Sequence, residues 1–304
     1  MRRKTDLAAK VVLICIWMLM FIRPVSAEPG NSDEDRWTFT PGEAWRLKVA
    51  PPERLYSPYL ADLRRPTMSM TYLHLTDSVI PDAGNDRFAF MLGAQYGLLR
   101  AYSSALPDSA FQLDLYGSFY GQFDIDSSTD NIGWDGFYGA VLSWANDGGL
   151  AARLALNHDS SHIGDEYIEK TGRLRLNYTR EEIAGGLAYR FAETVRAYGE
   201  AAYAHHLGDD DFQGPWRVQG GVEYEPAKRL WGGPLGCFAA LDLTAFEESD
   251  WDLDITAHIG LTAPFEYAFR TARLGLVYRK GRSLIGEFSM HREEWWGLRC
   301  TMDL

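Results

Sequence analysis

His158 and Ser160 have the residue types and the spacing for nucleophilic catalysis. A serine hydroxyl attacks an ester carbonyl when a base takes its proton, and an imidazole is the commonest such base. Two residues apart on a strand, the two side chains share one face about 7 Å apart. The residues before them make such a strand. Leu150, Ala152, Leu154 and Leu156 alternate with Ala151, Arg153, Ala155 and Asn157, one face apolar and the other more polar. Continued, this parity puts His158 and Ser160 on the apolar face and Asn157 and Asp159 on the other. If the apolar face meets lipid, base and hydroxyl stand at the lipid boundary, where a lipid-cleaving hydrolase needs them. The pair is short and frequent, however, and His158, Ser160, His162, Asp165 and Glu166 equally suit a solvated strand tip and loop.

Composition narrows the class of protein that could hold this pair. The formal charge is −12, so nucleic acid is excluded as a natural partner. Residues 1–27 read as a signal peptide: Arg2, Arg3 and Lys4 open it, residues 11–22 form an apolar core, and Val25, Ser26 and Ala27 precede a cut. Its loss removes more basic than acidic residues and takes away Cys15, leaving Cys237 and Cys300, too few for a disulfide framework. No apolar run of membrane-helix length follows, yet aromatic residues make up 13% of the chain and glycines number 29. A chain of this kind that enters a membrane does so as a closed barrel.

Residues 28–66 carry six prolines without sustained periodicity and are expected to form a periplasmic N-terminal extension or lumen plug. Residues 67–304 alternate. In FQLDLYGSFYGQFDI, Phe111, Leu113, Leu115, Phe119 and Phe123 share one face, and Gln112, Asp114, Tyr116, Tyr120 and Gln122 the other. On the next strand Trp134, Tyr138, Ala140, Leu142 and Trp144 share a face with a tryptophan near each end. Ten residues tilted by about 40° span ~25 Å, the height of an apolar band between aromatic girdles. The expected fold is all-β, a twelve-stranded antiparallel transmembrane outer-membrane β-barrel. Parity shifts between Leu174, Leu176 and Tyr178 and Ile183, Leu187 and Tyr189. A single strand over 171–192 with a bulge near residues 180–182 keeps the count even, whereas two strands there would put the His158 loop on the periplasmic side. Inward Arg153, Arg173, Arg175, Arg273 and Arg279 are expected to pair with Asp114, Glu200, Asp242, Asp252 and Asp254, filling the lumen.

The His-x-Ser of Asn157-His158-Asp159-Ser160 resembles the active strand of the outer-membrane phospholipase A family, a twelve-stranded barrel, and more loosely that of the lipid A deacylases. The resemblance implies Ser160 as nucleophile and His158 as its base, both facing lipid near the outer leaflet. The sequence departs from that pattern at Ser161 and His162, and Asn177, the nearest counterpart of the family's downstream Asn, has the wrong parity. LYSPYLADLRRP at residues 55–66, the HDSSHIGDEY block, NYTREE and the terminal YRKGRS and EFSMHREEWWGL together resemble an uncharacterised family of bacterial barrel-like proteins, a domain of unknown function. That resemblance implies fold and outer-membrane location but no activity. The terminal strand, with Trp296, Leu298, Cys300, Met302 and Leu304 on one face, is similar to the C-terminal signal read by the outer-membrane assembly machinery.

No cofactor is established by these residues; calcium is the one they raise. Asp124, Asp126, Ser128, Asp130 and Asp135 approximate a calcium-loop spacing, but Thr129 stands where the turn glycine belongs and Asp135 where the bidentate glutamate belongs. His205 and His206 with residues 209–211 are more often a solvated loop than a metal site. Two function classes stay open: a lipid-active serine esterase of phospholipase or deacylase type, acting on outer-membrane lipids or lipopolysaccharide, and a non-catalytic envelope barrel with a structural, binding or narrow transport role. A third residue orienting His158 would separate them.

Overall fold

The computed structural model describes residues 38–303 apart from 43, 129, 209–211, 228 and 266–269. The signal-type segment, Thr129, the acidic run at 209–211 and Leu304 lie outside the described residues. Two short strands, β1 (Thr38–Phe39) and β2 (Trp45–Val49), come first. Twelve more follow: β3 (Met68–Leu75), β4 (Asp86–Ser103), β5 (Leu106–Asp124), β6 (Asp130–Asn146), β7 (Leu150–Ile163), β8 (Thr179–Phe191), β9 (Val195–Leu207), β10 (Trp216–Tyr224), β11 (Gly236–Phe246), β12 (Leu253–Phe265), β13 (Arg270–Arg282) and β14 (Arg292–Met302). Each of the twelve pairs antiparallel with its chain neighbours, and β14 pairs with β3, so these twelve strands close into a barrel. Among the described residues no helix is long and apolar enough to cross a membrane.

The alternation sorts side chains as expected. On β7, Leu150, Leu154 and Leu156 are exposed on the outer surface, while Ala155, Asp159, Ser161 and Ile163 are buried inside. Cys237 on β11 and Cys300 on β14 are separated by β12 and β13. Residues 103–106, 146–150, 191–195 and 224–236 connect strands at one end, the turn end; the segments 76–85, 164–178, 208–215 and 283–291 lie at the other, the loop end.

One element differs from expectation. The strand after β7 starts only at Thr179, preceded by helix α1 (Asp165–Thr171) and an irregular stretch, 172–178. Leu174 is exposed on that stretch and Tyr178 is buried in the interior, so the change of parity marks where loop becomes strand. A register shift does occur at Glu181 and Glu182, with His205 of β9 as the extra residue. The even count survives.

The lumen is filled from both ends. β2 pairs with residues 99–103 of β4, below the stretch of β4 that pairs with β3, and the chain then turns inward past Gly97. A side chain at Gly97 would collide with Pro51, whose carbonyl oxygen would lie 2.6 Å from the added Cβ. From there Tyr56, Tyr59, Leu60, Ala61 and Leu63 are buried within the barrel. Tyr59 stacks on Tyr198 at 3.7 Å between ring centroids and donates to Glu200 at 3.1 Å. Burial pushes the Tyr59 phenol well above its ordinary range, so it stays a neutral donor. At the loop end, Leu284, Ile285 and Phe288 fold inward onto Leu73, Leu75, Ile132, Ile163, Tyr167 and Trp295. The expected ion pairs are present in part: Arg153 with Glu200, and Arg279 with Asp254 at 3.7 Å. Arg273 instead meets Glu225 and Asp303, and Arg173 and Arg175 lie on the 172–178 stretch beside Glu287.

Candidate active site

His158 and Ser160 both face outward near the loop end of β7. Register sets their neighbours: Tyr138 of β6 and Glu181 of β8 flank His158, Gly136 and Thr179 flank Ser160, and Trp134 lies across from His162. The His158 ring stacks on Tyr138 at 4.3 Å and the His162 ring on Trp134 at 4.0 Å. Gly136 lies between these two stacks. A Cβ added there would meet only the Ser160 hydroxyl, at 3.5 Å, within 4 Å. The glycine therefore leaves a notch between two aromatic-imidazole walls, with the Ser160 hydroxyl beside it.

Glu181 lies against His158. Its Oε1 lies 3.3 Å from His158 Nδ1. A carboxylate accepting from Nδ1–H fixes the tautomer that leaves Nε2 as the basic nitrogen. The contact is only partly shielded, with the His158 and Glu181 side chains 20% and 40% exposed. Ser160, His158 and Glu181 thus stand on one outer surface, two strands wide, with His158 hydrogen-bonded to Glu181 and not to Ser160.

The inward residues of the same strands anchor this surface. Asp159, between His158 and Ser160 in sequence, accepts from Arg64 of the lumen segment, and Arg64 also lies 3.8 Å from Asp135. Asn157 accepts from Tyr116 at 2.8 Å and donates to Glu182 at 3.0 Å. Glu182, next to Glu181, also receives Arg180 at 3.0 Å and Arg217 at 2.5 Å. Ser161 donates to Asp135 and accepts from the Glu287 N–H at 2.9 Å, tying the infolded loop to β7. Buried, hydrogen-bonded groups of this kind hold a strand in one position because each would be costly to leave unpaired.

Asn177 makes no hydrogen bond to His158. It sits on the irregular stretch with φ +57°, its N–H donating to Glu287. The pairing of Glu181 with His158 was not legible in the sequence because the fifteen residues between β7 and β8 leave the register open. Its outward parity, shared with Ile183, Leu187 and Tyr189, was the available signal. The calcium-spaced residues do not converge: Asp124 accepts from the N–H groups of Gly84 and Asp126, Asp130 from Ser127, and Asp135 points into the lumen. Among the described residues no group of three or more histidine, cysteine, aspartate or glutamate side chains could hold a metal ion.

Residues 32–303 match the family described as protein of unknown function (DUF1207). The chain belongs to that family. No curated protein sequence matches it. Among solved structures, this DUF1207 member is similar to outer membrane phospholipase A from Escherichia coli, at 14% identity and TM-score 0.53, over 78% of this chain and 92% of that one. It is also similar to the Salmonella typhi outer membrane phospholipase dimer with bound calcium, at 14% identity and TM-score 0.54, over 81% and 94% of the two chains. An active-site mutant of the Escherichia coli protein, with an asparagine replaced by alanine, matches at 14% identity and TM-score 0.54, over 83% and 95%. At this identity the likeness shows the fold: an outer-membrane-type barrel.

Proposed function

We propose that this DUF1207 protein is an outer-membrane lipid esterase in which Ser160 attacks an acyl ester, His158 takes the proton and Glu181 orients His158. The observation that carries this reading is the carboxylate at 3.3 Å from His158 Nδ1, on the outer face that also bears Ser160. As the Ser160 oxygen bonds to the carbonyl carbon, its proton moves to His158 Nε2; the imidazolium returns it to the departing alcohol, and water then hydrolyses the acyl-enzyme by the same route. The notch at Gly136 opens toward the apolar surface, so an acyl chain can approach from lipid. The substrates are outer-membrane phospholipid or the ester-linked chains of lipopolysaccharide, and the protein reaches that membrane after loss of its signal peptide, through the outer-membrane assembly machinery.

Purified protein in detergent micelles, assayed with and without calcium, is expected to release fatty acid from one of these lipids. Ser160→Ala should abolish release, and His158→Ala should cost nearly as much because nucleophile and base act as a unit. Folding of each variant is checked by heat-shifted gel mobility. Full activity in Ser160→Ala, or no turnover by the wild type on either lipid, overturns the assignment in favour of a non-catalytic envelope barrel. The filled lumen favours a structural or binding role over transport in that case.

A further inference from the structure

A second site lies at the turn end, away from Ser160. A cavity of about 290 Å³ lies between the lumen segment and the ends of β8, β9, β10, β13 and β14. Its walls carry five guanidinium groups, from Arg54 and Arg65 on the lumen segment and from Arg190, Arg196 and Arg273 on the barrel. Four carboxylates face them, and one, Glu53, is shared with cations outside the cavity, Arg100 at 3.4 Å and Lys48 at 3.9 Å. The other three are divided among the arginines: Glu223 with Arg196 at 3.2 Å, Glu225 with Arg273 at 3.1 Å, and Asp303 with both Arg65 and Arg273. Arg54 donates to the Gln95 carbonyl at 3.2 Å. With five guanidinium groups against four carboxylates the lining carries a surplus of positive charge, in a chain whose formal charge is −12.

Two details separate this lining from a self-neutralised ion-pair network. Arg273 is 7% exposed, yet its Nε makes no hydrogen bond within the protein. A buried guanidinium N–H left unmade costs free energy unless something else accepts from it. Arg190, at the end of β8, is exposed, and its side chain has no carboxylate partner among the described residues. A planar guanidinium matches a phosphate or carboxylate with two parallel hydrogen bonds, and several around one cavity select for an oxyanion over water.

We propose that this cavity binds an oxyanion, a phosphate or carboxylate group, which bridges Arg65 of the lumen segment to Arg190 and Arg273 of the wall. Inorganic phosphate, the phosphate of a small ester and a small carboxylate all carry this chemistry and fall within the cavity's volume. Binding adds a link between plug and barrel that the protein's own carboxylates leave incomplete. The site is independent of the esterase reading, and Ser160→Ala should bind the anion as the wild type does.

The test is calorimetric titration of the full-length protein in detergent micelles at low ionic strength, with inorganic phosphate, glycerol phosphate and acetate, and chloride as control. Saturable one-to-one binding of any of the three oxyanions supports the proposal, and the preferred one identifies the source. Arg190→Ala, which removes an exposed side chain and spares the fold, is expected to weaken binding by about tenfold or more, since it deletes charge-assisted hydrogen bonds to the anion. No saturable binding of any oxyanion, affinity no better than that of chloride, or an Arg190→Ala protein that binds as well as the wild type overturns it.

Discussion

Replacing Glu181 by glutamine or alanine tests whether the outer-face trio works as a catalytic unit. The structure bounds the effect. Two unit charges separated by 3.3 Å attract by about 1.3 kcal/mol in water and about 5 kcal/mol at the effective dielectric of a protein surface. Only the imidazolium formed as Ser160 attacks feels this attraction in full, so the loss falls on the transition state. At about 1.4 kcal/mol for each tenfold, kcat should drop by about tenfold to a few thousandfold, with KM little changed. The 40% exposure of the Glu181 side chain favours the lower half of that range in micelles, and transfer into bilayers should enlarge the loss by removing water from the pair. The assay is fatty-acid release against substrate concentration, for wild type and for Glu181→Gln, Glu181→Ala and Ser160→Ala, all checked for heat-modifiable mobility. If Ser160→Ala is inactive while both Glu181 variants keep full kcat, the carboxylate does not orient His158. An effect on KM alone would make it a contact to substrate.

Other perturbations probe the frame around the site. Arg64→Met strands Asp159 among buried groups and should destabilise the barrel by about 3 kcal/mol, seen as a lower temperature for loss of the folded gel band; adding Asp159→Asn should restore most of it, and no shift in the single variant would deny the clamp. Cys237 and Cys300 stand three strand spacings apart, about 14 Å, beyond the ~7 Å that a bridge tolerates; a non-reducing mass map that linked them would contradict the strand order. An epitope inserted at Phe212 should be reachable from outside intact cells and one at Gly232 should not, and the reverse result would invert the barrel.

The period-2 pattern made the twelve strands, their faces and the outward placement of His158 and Ser160 legible, because a one-residue slip would turn every side chain of a strand to the wrong surface. Residues 172–178 escaped for a related reason. Leu174, Leu176 and Tyr178 alternate as a strand would, yet Tyr178 is drawn into the interior while Leu174 stays in solvent. Glu181 was hidden because a pattern along one strand says nothing about its offset from the next when a long loop joins them. The lumen segment was expected as an extension or plug, but its partners, Asp159 for Arg64 and Glu200 for Tyr59, depend on where a proline-rich chain enters, which only Gly97 and Pro51 reveal.

The lumen segment runs directly into β3, the strand whose pairing with β14 closes the ring. Filling and closure therefore share one stretch of chain. Tyr59, Arg64 and Arg65 tie that stretch to Glu200, Asp159 and Asp303 on three separate parts of the wall, so a pull that withdraws it is carried straight to the strand at the seam. A cut within residues 50–66 should accordingly separate the two: the ring keeps its β3–β14 pairing while the contacts inside it lose their covalent tether.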